Sequence, residues 1–257
     1  MISEAELMEA VAGFFWPFFR IGAFMMTVPV IGTQLVSPRI RIGLTAAMAI
    51  AVSSALPAPP VTDLMSPAAW VVVAEQILIG ISMGFIVQLM FQIFILAGQI
   101  IAMQMGLGFA SMVDPANGIN VPIISQFYLM LTTLIYLSLN GHLVAIEVLV
   151  ESFYVLPVST VWHFDQLMRI VSLGSWMFAS AVFVSLPAVS AILIINFAFG
   201  VMTRAAPQLN IFSLGFPFTM LMGLIIMMFG LSGFLPQYHA LVSDCLMMLR
   251  DIFNTPV

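Results

Sequence analysis

Between Arg169 and Arg204 the chain carries no charged residue, and most of that stretch is aliphatic or aromatic. A transmembrane helix needs ~20 predominantly apolar residues, so the run Ile170–Met202 exceeds what one hydrocarbon core of ~30 Å requires. Comparable runs recur at Val11–Val36, Ile40–Leu56, Ala68–Ile95, Val121–Leu139 and Phe216–Leu235. Six such runs predict an all-α membrane protein of about six long, kinked apolar helices. Only 7% of the residues are charged and 62% are apolar, against about 25% charged in an ordinary soluble domain. That balance excludes a soluble monomer and intrinsic disorder.

Charge and cysteine exclude further classes. There are 6 arginines and no lysine against 11 acidic residues, so no basic surface exists to neutralise a run of phosphates, and nucleic acid is excluded as a partner. One cysteine, Cys245, forms neither an internal disulfide nor a metal cluster. The N-terminus carries Glu4, Glu6 and Glu9 where a signal peptide needs positive charge, so the first apolar run is expected to be retained. Arg39, Arg41 and Arg204 put their two loops in the cytoplasm by the positive-inside rule.

Local signals refine the helices. Ser3-Glu4-Ala5-Glu6 reads as a capping box. Pro17, Pro29, Pro187 and Pro217 favour kinks or breaks that lipid does not tolerate unshielded. Leu241, Cys245, Met248 or Leu249, and Ile252 form an apolar stripe with Asp244, Arg250 and Asp251 off it, the pattern of a short amphipathic helix at an interface or against a partner. Gly80 and Gly84 form a small-xxx-small pair suited to close helix approach.

Sites for catalysis are poorly supported. His142, His163 and His239 have no metal-ligand spacing, and Glu147 with Glu151, though i and i+4, reads best as a solvated or partner-facing edge. No cofactor, metal or catalytic residue is expected. Arg20 and Glu75 are the conspicuous charges inside apolar runs; each needs a partner or water, and mutual pairing or contact with another subunit are both open. The segment Gly106–Pro122 has turn chemistry at Asp114-Pro115 and Asn117-Gly118 yet apolar residues Leu107, Phe109, Met112 and Val113. A surface loop and a shielded, lumen-filling element are both open on these residues alone.

Three stretches carry a resemblance. Arg204-Ala-Ala-Pro-Gln-Leu-Asn-Ile-Phe-Ser-Leu-Gly-Phe-Pro217 resembles the RxxPQxNxFxxGFP stretch of the FliR family of flagellar type III secretion export-gate proteins. Pro29-Val-Ile-Gly32 with Val36-Ser-Pro-Arg-Ile-Arg41 is similar to that family's first loop, and Val113-Asp114-Pro115 to its central loop. The resemblance implies a non-enzymatic subunit of the bacterial inner membrane and flagellar basal body. Its implied partners are FliP, FliQ, FlhB and FlhA, together with membrane lipid and the unfolded flagellar proteins that pass through the gate.

The resemblance also implies an organisation. Residues 1–160 are similar to FliP, and residues 161–257 are similar to the FliQ helical hairpin with an amphipathic C-terminal end. The helices are expected as tilted hairpins within a hetero-oligomeric helical assembly, largely beyond the ordinary membrane plane. The implied pore plug comprises Gly106, Leu107, Gly108, Phe109, Ala110, Ser111, Met112, Val113, Asp114, Pro115, Ala116, Asn117 and Gly118. Met103 and Met105 are candidates for its seal. Arg204, Pro207, Gln208, Asn210, Gly215 and Pro217 are assigned to the hairpin turn and to contact with a partner. A secondary transporter with broken helices is the alternative; it requires an inverted repeat, and none is evident between the halves.

Overall fold

The computed structural model describes residues 4–56, 66–108, 111–113, 120–158, 164–205 and 211–254. Among these residues the chain forms helices α1 (Glu4–Thr27), α2 (Pro38–Ser53), α3 (Pro67–Gln104), α4 (Ile123–Ser138), α5 (Gly141–Val155), α6 (Phe164–Ala205) and α7 (Ile211–Asn254). Two short strands, β1 (Ser111–Val113) and β2 (Asn120–Pro122), separate α3 from α4. The all-helical membrane class is correct, and the strands are its local exception.

Among the described residues, the six expected spans become three helices long and apolar enough to cross a membrane, in α3, α6 and α7. A fourth is reached only if α4 and α5, bent by 68° at a short break, act as one span. The first run fails because α1 stops at Thr27, ahead of Pro29. The second is only the 16-residue α2. The sixth run and the amphipathic C-terminal segment are one helix, the 44-residue α7. Prolines do not break these helices: α1 continues through Pro17, α6 through Pro187, and α7 through Pro217 and Pro236. Ser3, half of the expected capping box, lies outside the described residues.

The chain divides into two compact units. The first comprises Met1–Leu89, Tyr136–Leu173 and Cys245–Val257. Its centre is built on helical periodicity: Ala12, Trp16, Arg20, Ile21 and Phe24 of α1 are buried, with Ala69, Val73, Gln76, Ile79, Met83 and Ile86 of α3. Leu149, Ser152 and Phe153 of α5 join them, and so do Cys245, Leu249, Ile252 and Phe253 of α7. The expected C-terminal stripe is therefore the buried face. The Cys245 thiol lies 3.9 Å from the Ile86 carbonyl, and Gln166 Nε2 of α6 donates to Ile252 O at 3.3 Å.

α3 and α1 meet at the two glycines. A Cβ at Gly80 would collide with Arg20 O and lie 2.9 Å from Ala23 Cβ. A Cβ at Gly84 would collide with Thr27 Oγ1 and lie 2.8 Å from Thr27 Cβ. The small-xxx-small pair is thus a backbone-to-backbone crossing.

The second unit comprises Met90–Ile135 and Gly174–Asp244. Phe94 of α3, Tyr128 of α4 and Phe234 and Tyr238 of α7 form a ring cluster, with Phe94 and Phe234 centroids 4.9 Å apart and Tyr128 and Phe234 5.6 Å apart. Gly98 lets α3 touch α4: a Cβ there would lie 2.8 Å from Ser125 Cα. In this unit Phe199 of α6 stacks edge-on against Phe218 of α7, centroids 5.0 Å apart.

Candidate functional site

The root of the Gly106–Pro122 segment is a helix C-cap. Gly106 N–H donates to Met103 O at 3.1 Å and Leu107 N–H to Ala102 O at 2.8 Å. Gly106 has φ +80°. That pair of bonds around a left-handed glycine is the Schellman motif, and it stops α3 while satisfying two of its last carbonyls. A Cβ at Gly106 would lie 2.7 Å from Phe216 Cε2, so α7 closes on the cap. One residue earlier, Met105 is fully buried and its thioether fills the space left by Gly223, where a Cβ would be 2.7 Å from Met105 Cε.

Beyond the cap, β1 and β2 pair antiparallel in the register Ser111↔Pro122, Met112↔Val121 and Val113↔Asn120. The central segment is therefore a β-ribbon standing between α3 and α4, an arrangement the turn signals alone did not specify. Phe109, Ala110, Asp114, Pro115, Ala116, Asn117 and Gly118 lie outside the described residues. The two seal candidates separate: Met105 is packed inside the second unit, while Met103 is 67% exposed.

At the hairpin between α6 and α7, Arg204 is exposed in the last turn of α6, where a cation complements the negative end of the helix dipole. Gly215 is buried and Pro217 exposed in the opening turns of α7. Pro207, Gln208 and Asn210 lie outside the described residues.

Of the two readings left open for Arg20, the pairing with Glu75 is not the one formed: Gln76, Ser152 and Leu156 hold it. Arg20 is fully buried, and its Nε donates to Gln76 Oε1 at 2.8 Å. Its Nη1 donates to Ser152 O at 3.0 Å and Ser152 Oγ at 3.2 Å, and its Nη2 to Leu156 O at 2.9 Å. The guanidinium carbon lies 4.2 Å from the Phe153 ring centroid. Glu75 points a third of a turn away and is only half-buried. Arg20 is thus held by neutral acceptors at the carboxyl end of α5, where the helix dipole is negative, and by an aromatic face. Sequence reasoning missed Gln76 and Ser152; the signal was a glutamine directly after the only charged residue of a mostly apolar helix.

Other charges pair at the edge of the first unit. Arg169 meets Asp251 at 2.5 Å, and Arg250 lies 3.6 Å from Glu151. Exposed pairs of this kind contribute about 0–1 kcal/mol. The Glu147/Glu151 edge therefore faces arginine on one side and solvent on the other.

The family model of bacterial export proteins, family 1, matches residues 11–245. The chain is 36% identical over 242 residues to the flagellar biosynthetic protein FliR of Escherichia coli (strain K12), covering 94% of this chain and 92% of that one. The chain belongs to the FliR family. FliR of Pectobacterium carotovorum subsp. carotovorum is 34% identical over 252 residues, 97% of this chain and 95% of the relative. FliR of Aquifex aeolicus (strain VF5) is 35% identical over 216 residues, 83% of each. The Schellman-capped ribbon, the α6–α7 pair and the Arg20 node are therefore features of a FliR-family chain, and the late motif that carried the resemblance runs from the last turn of α6 into α7.

Proposed function

We propose that this chain is a non-enzymatic core subunit of the flagellar type III protein export gate. In this reading it joins FliP and FliQ to form the channel for unfolded flagellar subunits, with FlhB and FlhA as neighbouring components, in the bacterial inner membrane at the flagellar basal body. Residues 1–160 would supply the FliP-like part and residues 161–257 the FliQ-like hairpin.

The observation that carries the reading is uncovered apolar length. Only 22% of the apolar window in α6, and 22% of that in α7, is buried, against 67% in α3. Val171, Phe178, Phe183, Ile194, Phe197 and Met202 of α6 are all exposed. At ~1.5 Å per residue that exposed apolar run spans roughly 45 Å, and a ~30 Å hydrocarbon core would cover it only at a tilt of roughly 50°, beyond the ~0–40° seen for membrane helices. Lipid alone does not cover this run. Apolar helices from other subunits do, and a hetero-oligomer of hairpins supplies them.

The ribbon rooted at Gly106 is then the plug. Apolar residues in a narrow lumen exclude water and block ions, and a root clamped at the Gly106 cap fixes where such an element would sit. Co-expression with FliP and FliQ followed by native mass spectrometry tests the reading. A defined complex with one copy of this chain supports it, and a stable monomer or homodimer refutes it. Deleting residues 110–116 should leave that complex intact and raise its ion leakage; unchanged leakage removes the plug role.

A further inference from the structure

α1 ends in a strained turn. Val28 N–H still donates to Phe24 O, and Gly32 N–H donates to Val28 O, both at 2.8 Å. Inside that span Ile31 N–H donates to Pro29 O at 2.9 Å, a three-residue i→i+2 turn centred on Val30, whose φ is +73°. A γ-turn of this hand is the rare, strained one, and a β-branched residue at positive φ is an outlier. The chain uses glycine for the same sign of φ at Gly106, and the other non-glycine there among the described residues is Asn140, a type that tolerates it. The surroundings enforce the conformation. A Cβ at Gly32 would lie 2.6 Å from Met26 O, so the turn is folded hard onto the end of α1. Arg41 Nη2 donates to Thr33 O and, at 2.8 Å, to Val36 O.

The helix that follows lies close against α1 but meets it through small residues. Thr45 and Ala49 are the buried residues of α2, both small, while Ile40, Ile42 and Ile50 are more than half exposed. Its contact with α1 passes through Gly22, where a Cβ would lie 3.3 Å from Thr45 Cγ2.

We propose that α2 is a movable arm hinged at Val30. Relaxation of Val30 to negative φ opens the γ-turn and swings α2 off α1 during export, and the stored strain lowers the cost of that step. The inference rests on the export-gate role proposed above.

A reversible lock tests it. In a Cys245→Ser background, Gly22→Cys with Thr45→Cys puts a new Cβ where it would lie 3.3 Å from Thr45 Cγ2, close enough for a disulfide between the two positions. The full-length protein replaces the native copy in cells. Oxidation is expected to cut secretion of flagellar subunits at least tenfold at unchanged membrane level, and a reductant to restore it. Undiminished secretion by the oxidised, cross-linked protein overturns the arm.

Val30→Gly, with Val30→Asn as a second variant, reads the strain separately. Each is expected to raise the melting temperature of the purified complex and to slow secretion by favouring the docked arm. No rise with either variant overturns the strained hinge. Failure of the wild-type chain itself to restore secretion overturns the gate role and the arm's part in export, while the thermal shift still reads the strain.

Discussion

The Nε–H of Arg20 donates to Gln76 Oε1 at 2.8 Å, so the buried guanidinium takes its α3 partner one residue past the carboxylate. The amide orientation of Gln76 follows, since only its oxygen accepts. Among the described residues no carboxylate contacts the guanidinium; the carbonyls of Ser152 and Leu156 and the Phe153 face stabilise the charge instead. A single cation thereby ties α1, α3 and the end of α5 together.

Arg20→Ala should cost about 3–5 kcal/mol, the scale for removing one member of a buried charged network. It removes the donor to Gln76 Oε1 and to the Leu156 carbonyl, while Ser152 O keeps the Leu156 N–H. Gln76→Leu should cost about 1–3 kcal/mol. The Arg20/Gln76 double-mutant cycle should show a coupling of about 0.5–3 kcal/mol, as contacting residues do. The Arg20/Glu75 cycle should be additive within about 0.5 kcal/mol. With Glu75→Gln as the third single, unfolding of the purified chain in detergent reads all five variants, three singles and two doubles. Coupling to Glu75 in place of Gln76 would show that α3 is rotated about its axis.

The crossing of α1 and α3 gives an independent check. Gly84→Ala puts a methyl against Thr27 Oγ1 and Thr27 Cβ, so overpacking of about 1–3 kcal/mol outweighs the helix-propensity gain of about 1 kcal/mol. Gly13 lies in the same α1, and a Cβ there meets nothing within 4 Å. Gly13→Ala should therefore stabilise by up to about 1 kcal/mol. Thermal melts that move in opposite directions are the expected result; two shifts of the same sign would place the seam elsewhere.

These particulars show what was legible in the sequence. Apolar runs marked α3, α6 and α7 because membrane-scale hydrophobicity is a local property. Gly80 with Gly84 and the Leu241–Ile252 stripe were legible because helix packing repeats every three or four residues. α5 was not, since Gly141–Val155 is 15 residues long and carries His142, Glu147 and Glu151, too short and too charged to stand out from a loop. The β-ribbon escaped because three-residue strands have no period to read. Arg20's partners escaped because Ser152 and Leu156 lie 132 and 136 residues away along the chain, and a backbone acceptor leaves no mark in the sequence.

Cys245 is 3% exposed, against the Ile86 carbonyl. Burial removes both the access and the solvation that a thiolate needs. Maleimide labelling should be negligible in the native chain in detergent and complete after denaturation. Gln76→Leu should leave that protection intact at room temperature, whereas Arg20→Ala should shorten it by local opening of the same unit. Rapid labelling of the unmodified chain would contradict the docked end of α7.

The cap at Gly106 connects packing to the proposed plug. Two glycines hold that root, for different reasons. At Gly223 a methyl meets the thioether of Met105, and a flexible side chain gives way cheaply. At Gly106 a methyl meets the Phe216 ring and must also adopt φ +80°, which costs an L-residue about 1–2 kcal/mol before any clash. Shortening Phe216 removes the clash and leaves the backbone cost. Gly106→Ala should therefore destabilise more than Gly223→Ala, and Phe216→Ala should rescue it only in part. A cap that no longer ends α3 at Gln104 misplaces the ribbon that follows. Gly106→Ala in the assembled complex should raise ion leakage across a vesicle membrane while Gly223→Ala stays near wild type. Equal leakage from both would mean that the Schellman cap does not set the position of the seal.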